Sequence, residues 1–249
     1  MAQDGVPSAH DLAEEEVRIP VPGSWSSLSA LVAVKESPVV VIATHPWGPL
    51  GGSMFDPHPT LACRLMAQAG CSSARFNFRS GINFGGSSIE DVKAVADWFT
   101  EPREGRQPLA SQVLLVGYSY GSLVAAAAAA EIPRCVGFAV VCPPIGYAWA
   151  LYLFNGRSMM NKAADSEGKP KLLIIGTEDQ FCSVDTFTSF VETLPEPKMA
   201  IVKDGVDHFS MYRHLRVAIE RWIAGAFGAE DLRSFARTGA EAARGPTRP

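Results

Sequence analysis

The nine residues VLLVGYSYG, 113–121, set a serine between two glycines, just after an apolar run and just before an alanine-rich one. A serine hydroxyl attacks a carbonyl at neutral pH only if a base takes its proton and a carboxylate orients that base. Two later segments offer such partners. KLLIIG runs into Thr177-Glu178-Asp179, and MAIVK runs into Asp204-Gly205-Val206-Asp207-His208. The order Ser119, Asp179, His208 is one of three chain orders known for this chemistry, and it excludes the other two. Glu178 and Asp185 compete with Asp179 for the acid's place, and His214 falls inside a predicted helix with no matching turn.

With 22 glycines in the chain, a GxSxG string is expected by chance in roughly one such sequence in six, so the string alone says little. Its setting says more. A strand running through a sharp turn into a helix lifts the serine hydroxyl above a sheet, and only glycines leave room on either side. The same chemistry needs two backbone donors for a developing oxyanion. Tyr120, which follows the serine, is the first candidate. The loop His45-Pro46-Trp47-Gly48 follows an earlier strand, and because proline has no N–H, Trp47 is the second candidate, with Gly48 in reserve.

The elements that must position these residues alternate along the chain. Strands are predicted at Val39–Thr44, Ala74–Phe78, Gln112–Gly117, Val136–Cys142, Lys171–Gly176 and Met199–Lys203, near-continuously apolar, as strands covered on both faces are. Helices are predicted at Pro57–Gln68, Ser88–Phe99, Ser119–Glu131, Val184–Leu194 and Ser210–Phe227. An antiparallel hairpin, Val17–Val21 with Leu28–Val34, precedes them. This order predicts an α/β class with a mostly parallel sheet and helices on both faces. Residues 1–14 are expected to be a flexible N-terminus and 15–227 the folded domain. From Gly228 to 249 large apolar residues thin out, which predicts a frayed helix passing into a disordered tail.

With these motifs in place, the chain resembles small members of the α/β-hydrolase superfamily. It is similar in particular to compact bacterial and plant hydrolases with a His-Pro-rich segment after the third strand and an RFNFR-like fourth strand. The resemblance spans about residues 15 to 227 and rests on THPWGPLGGSM, RFNFR, GYSYG, GTEDQF and GVDHFS. It implies the α/β-hydrolase fold with a minimal cap at about 143–170, Ser119 as nucleophile, Asp179 as acid and His208 as base. One departure follows RFNFR, where Ser80 to Gly86 replaces the usual short glycine-rich turn.

The expected activity is hydrolysis of a small carboxylic ester or thioester through an acyl-serine, with an amidase or peptidase, or a non-catalytic binding protein of the same fold, as alternatives. No cofactor or metal is expected. His45 and His58 lack HxH or HExxH spacing, and Gly48–Ser53 lacks the ending of a phosphate-binding loop. Tyr147, Trp149 and Phe154, with Tyr152, cluster where this architecture inserts its cap, which makes an acyl or aromatic pocket, plain core packing or a dimer contact the readings. Arg75 and Arg79 are expected in salt bridges, and Cys182 as an inert thiol near the site.

A formal charge of −4 lacks the cationic face that nucleic acid requires. Five cysteines without a CxxC pair suit reduced thiols in a cytoplasmic setting. The acidic first residues predict no secretory signal, and Pro143-Pro144 interrupts the one long uncharged run, Val136 to Phe154, so no membrane span is expected.

Overall fold

The computed structural model describes residues 14–79, 85–103, 105–152 and 155–240. Among the described residues eight strands form one sheet: β1 (Glu15–Pro20), β2 (Ser27–Ala33), β3 (Val39–Thr44), β4 (Ser72–Phe76), β5 (Gln112–Tyr118), β6 (Cys135–Val141), β7 (Lys171–Glu178) and β8 (Lys198–Asp207). Their spatial order is β1-β2-β4-β3-β5-β6-β7-β8. The hairpin β1–β2 and the β2–β4 pairing are antiparallel, and every later pairing is parallel. The central strand β3 is buried along its whole length, as its unbroken VVVIAT sequence requires.

Helices α1 (Pro57–Ala69), α2 (Gly86–Thr100), α3 (Tyr120–Glu131), α4 (Ala148–Leu151), α5 (Asn155–Ala164), α6 (Val184–Thr193), α7 (Tyr212–Phe227) and α8 (Leu232–Thr238) complete the layers. Residues of α2, α3, α5 and α6 build the apolar core on one face of the sheet, and residues of α1, α7 and α8 build that on the other. Helix α3 is apolar all round and buried all round, from Tyr120 to Ala129. Its alanines favour helix and let it lie close to β5 and β6, while α5 packs over its outer side. Between β6 and β7, where the small cap is expected, the described residues form a 3₁₀ turn at Ile145–Tyr147 followed by α4 and α5.

The sequence reading of residues 228–249 is corrected over 228–240. Gly228 stops α7 in a left-handed conformation at φ 63°. Asp231 then caps α8 by accepting the Ser234 amide at 2.7 Å. Leu232, Phe235 and Ala236 bury their side chains against the α1–α7 face. Two large apolar residues three apart were enough, because neighbouring helices already supply the groove. Ser37 donates to the Ala236 carbonyl at 2.6 Å, and the Ala240 amide donates to Gln112 at 2.7 Å, so α8 is tied to the ends of the sheet where β3 and β5 begin. The rest of that expected tail, 241–249, and nearly all of the expected flexible N-terminus, 1–13, lie outside the described residues. Glu14, the last residue of that segment, pairs with Arg75 at 2.6 Å.

Candidate active site

Strand β5 ends at Tyr118 and α3 begins at Tyr120, which leaves Ser119 alone to turn the chain. It does so at φ 52°, ψ −125°, a conformation that costs a side-chain-bearing residue about 1–3 kcal/mol. The surroundings hold it there. Its amide donates to the Val141 carbonyl at 2.9 Å, and its own carbonyl accepts from the Ser122 amide at 2.9 Å and the Ser122 hydroxyl at 2.6 Å. The two flanking glycines are required by space. A Cβ on Gly117 would lie 2.5 Å from the Gly121 carbonyl oxygen, and one on Gly121 would lie 2.6 Å from Thr44 Oγ1.

The structure brings the three sequence-selected residues together. Ser119 Oγ and His208 Nε2 are 3.0 Å apart, and His208 Nδ1 lies 2.8 Å from Asp179 Oδ2. The other Asp179 oxygen accepts the amides of Phe181 at 2.9 Å and Cys182 at 3.2 Å. With its side chain fully buried, the carboxylate thus holds both the imidazole and its own loop. Glu178 and Asp185 are exposed and take no part. The backbone that carries the imidazole is held as well, since Tyr118 donates its hydroxyl to the His208 carbonyl at 3.1 Å and the His208 amide donates to Gln180 at 3.3 Å. On the same turn, Ser210 donates its hydroxyl and amide to Asp207, which holds that carboxyl below its ordinary range.

Cys142, which the sequence reading passed over, completes the setting. It follows β6 with φ 47°, and its sulfur, an Asp179 oxygen and a His208 nitrogen all lie within 4.8 Å of one another. Burial first, and the neighbouring Asp179 carboxylate second, push its thiol far up, so it stands beside the acid as a neutral S–H. The available signal was its place at a strand's carboxyl end, the edge where sites of open α/β sheets gather. Cys182 is also buried, with its thiol pushed up to about 11, in keeping with an inert role. All five cysteines are unpaired and buried.

The two expected oxyanion donors belong to the elbow and to the loop after β3. Tyr120 opens α3, so its amide lies at the helix N-terminus. Tyr152 braces that residue by stacking on its ring at 4.9 Å and donating its hydroxyl to the Tyr120 carbonyl at 2.6 Å. Trp47 leads into a 3₁₀ turn, Gly48–Leu50, and its carbonyl accepts the amides of Leu50 and Gly52, both at 3.1 Å. Thr44 Oγ1 donates to the Gly121 carbonyl at 2.9 Å and so clamps the start of this loop to α3.

His45 fixes the loop's other flank. Its Nε2 accepts the Phe78 amide at 3.1 Å, so Nδ1 carries the proton and donates to the Pro46 carbonyl at 2.5 Å. Burial holds this neutral imidazole down to about 4, against an ordinary 6.5. Between those values the unfolded chain takes up a proton that the folded chain refuses. Stability due to His45 is therefore fully present above pH 6.5 and is lost as the pH falls towards 4. His58, buried against Tyr118, is lowered in the same direction. Melting temperature followed from pH 8 to pH 4 should decline across this window, and the decline should be shallower in His45→Gln.

The remaining predicted residues separate. Arg75 pairs with Glu14, and Arg79 with the buried Asp91 at 2.5 Å, so both anchor structure as expected. Tyr147 reaches the site's edge, with its ring 5.7 Å from that of Phe181. Trp149 is 73% exposed, which removes the core reading for it. Phe154 lies outside the described residues, as does most of the Ser80–Gly86 segment. Among the described residues no helix is long and apolar enough to cross a membrane.

No protein-family model matches the chain, and no curated protein matches it in sequence. Solved structures do match its fold. An α/β serine hydrolase without a lid from Xanthomonas campestris is 24% identical, with 85% of this chain and 94% of that one covered at a TM-score of 0.68. An α/β serine hydrolase homologue from Coxiella burnetii is 23% identical, with 83% and 96% covered and a TM-score of 0.67. A Pyrococcus furiosus esterase is 18% identical, with 86% and 91% covered and a TM-score of 0.71. Eight strands in this order, a strand-to-helix turn bearing the serine, and these likenesses together establish that the chain has the fold of the α/β-hydrolase superfamily.

Proposed function

We propose that the protein is a serine hydrolase that cleaves small carboxylic esters or thioesters through an acyl-serine intermediate. The observation that carries this reading is the unbroken hydrogen-bonded line from Ser119 Oγ through His208 to a fully buried Asp179. His208 Nε2 takes the Ser119 proton as Oγ adds to the substrate carbonyl carbon. Asp179 keeps Nδ1 protonated and stabilises the imidazolium. The amides of Tyr120 and Trp47 receive the negative oxygen, each donor being worth about 3 kcal/mol. As the carbon–oxygen or carbon–sulfur bond breaks, Nε2 returns the proton to the departing alcohol or thiol. Water, deprotonated by the same nitrogen, then releases the acid and restores Ser119. The cycle consumes only water.

The serine hydrolases and esterases among the structural neighbours support this class of reaction. A fluorophosphonate probe tests it directly, because only an activated serine is phosphonylated. The full-length protein is expected to label at one site, identified by peptide mapping as Ser119, and to stay unlabelled as Ser119→Ala. A wild-type protein that remains unlabelled would overturn the reading in favour of a binding protein on the same scaffold.

A further inference from the structure

Two aromatic rings stand on the same turns that present the acid and the base. Phe181 lies two residues beyond Asp179, and Phe209 directly follows His208. Both face the imidazole, with ring centroids 4.5 Å and 5.4 Å from it and interplanar angles of 56° and 79°. They also meet each other edge to face at 6.0 Å, and Tyr147 extends the wall at 5.7 Å from Phe181. Phe209 is 62% exposed and Tyr147 is 47% exposed, so this wall faces outward. An exposed aromatic cluster of this kind, on loops already held by hydrogen bonds that Asp179 and Asp207 accept, needs an explanation other than core packing.

The chemistry says which part of a substrate reaches it. The leaving oxygen must come within hydrogen-bond distance of His208 Nε2, since that nitrogen returns the proton as the carbon–oxygen bond breaks. A group attached to that oxygen is then only a few ångströms from the rings that border the imidazole. The expected oxyanion donors belong to other segments, the loop after β3 and the start of α3.

Resting on the hydrolase reading above, we infer that Phe181 and Phe209, edged by Tyr147, form the leaving-group subsite, and that the preferred substrates are esters of aromatic or other flat, apolar alcohols. Rings of this kind stack or meet edge to face with an aryl substituent and gain little from a short alkyl chain.

The test compares benzyl acetate with propyl acetate, whose alcohols are of similar acidity, in the full-length protein. Beside it runs a pair varied only on the acid side, propyl phenylacetate and propyl butanoate. Phe209→Ala, at an exposed position, and Phe181→Leu, which keeps bulk without a ring, are each measured on all four esters. The wild-type protein is expected to prefer the benzyl ester, and each variant should lower the benzyl-to-propyl ratio of kcat/KM by about fivefold to tenfold, the equivalent of one lost aromatic contact. The phenylacetate-to-butanoate ratio should hold. Phe209→Tyr should keep the wild-type benzyl-to-propyl ratio. A defect in imidazole positioning would slow all four esters alike and leave both ratios unchanged, which would overturn the subsite. A fall confined to the acid-side pair would overturn it as well, placing the rings against the acyl group. Should the wild-type protein hydrolyse none of the four and also fail to take the fluorophosphonate label, the hydrolase reading itself falls. Labelling with unchanged ratios sinks the subsite alone.

Discussion

In Ser119→Ala and in His208→Ala, kcat on an activated ester should fall by about 10⁶, and the double variant should be no slower than either single one, because nucleophile and base act as one unit. The geometry leaves little room for compensation. His208 Nε2 has its single described partner in Ser119 Oγ, and Nδ1 is committed to Asp179. Asp179→Asn should cost about 10⁴, since an amide presents the wrong hydrogen-bonding pattern to Nδ1 and favours the unproductive tautomer. Glu178→Gln should leave turnover intact, because that residue is exposed at the end of β7 and it is Asp179 that bonds His208 Nδ1. Single-turnover and steady-state rates, with circular dichroism to show that each variant is folded, measure all of this. A double variant far slower than both singles, or an active Asp179→Asn beside an inactive Glu178→Gln, would reassign the roles.

The second large effect concerns stability at the opposite end of the sheet. Deleting residues 228–249 should lower the melting temperature by roughly 10 °C or more, because Leu232 and Phe235 leave the core and a large-to-small change at a buried phenylalanine alone costs about 3–5 kcal/mol. Ser37 loses its bond to the Ala236 carbonyl and Gln112 its bond to the Ala240 amide at the same time. Phe235→Ala should reproduce most of the loss. Turnover at low temperature should change little in either variant, since α8 borders the starts of β3 and β5 whereas the serine and its partners stand where the strands finish. Calorimetry beside an esterase assay at 20 °C separates the two quantities; deletion without loss of melting temperature would mean that the docked helix contributes nothing.

The parts of this protein that local chemistry dictates are readable in its sequence. The buried strands stand out as unbroken apolar runs, and β3 falls on the residues expected. Ser119, Asp179 and His208 could be chosen before any coordinates because each ends a strand and the three come in a diagnostic order. Strand β8 shows where such reading stops. Its apolar pattern fades at Lys203, yet the strand continues to Asp207 because, after a register shift, Glu178 pairs with Asp207 and draws the acid's loop and the base's loop together. The reading of 228–249 as a frayed helix lacks the docking of α8, because its burial depends on a groove made by α1 and α7, which no count of apolar residues within 228–249 can reveal. The places of Cys142, Phe181 and Phe209, and the bracing of Tyr120 by Tyr152, are hidden for the same reason. Each owes its place to a partner far away in the chain, on a strand end or loop that only the assembled sheet brings near.

The backbone at residue 119 carries a wider implication for how this scaffold can change its chemistry. Its dihedrals, φ 52° and ψ −125°, match the first central position of a type II′ turn, where glycine, asparagine and aspartate are favoured. The strain is held by Val141, Ser122 and the two glycines, none of which touches the identity of the side chain at 119. Residue 119 is therefore a socket. A short side chain with a different reactive atom, such as a carboxylate oxygen, could be seated there by a single codon change while the elbow, the helix behind it and the base above it stay in place, so the reaction can evolve without the architecture having to.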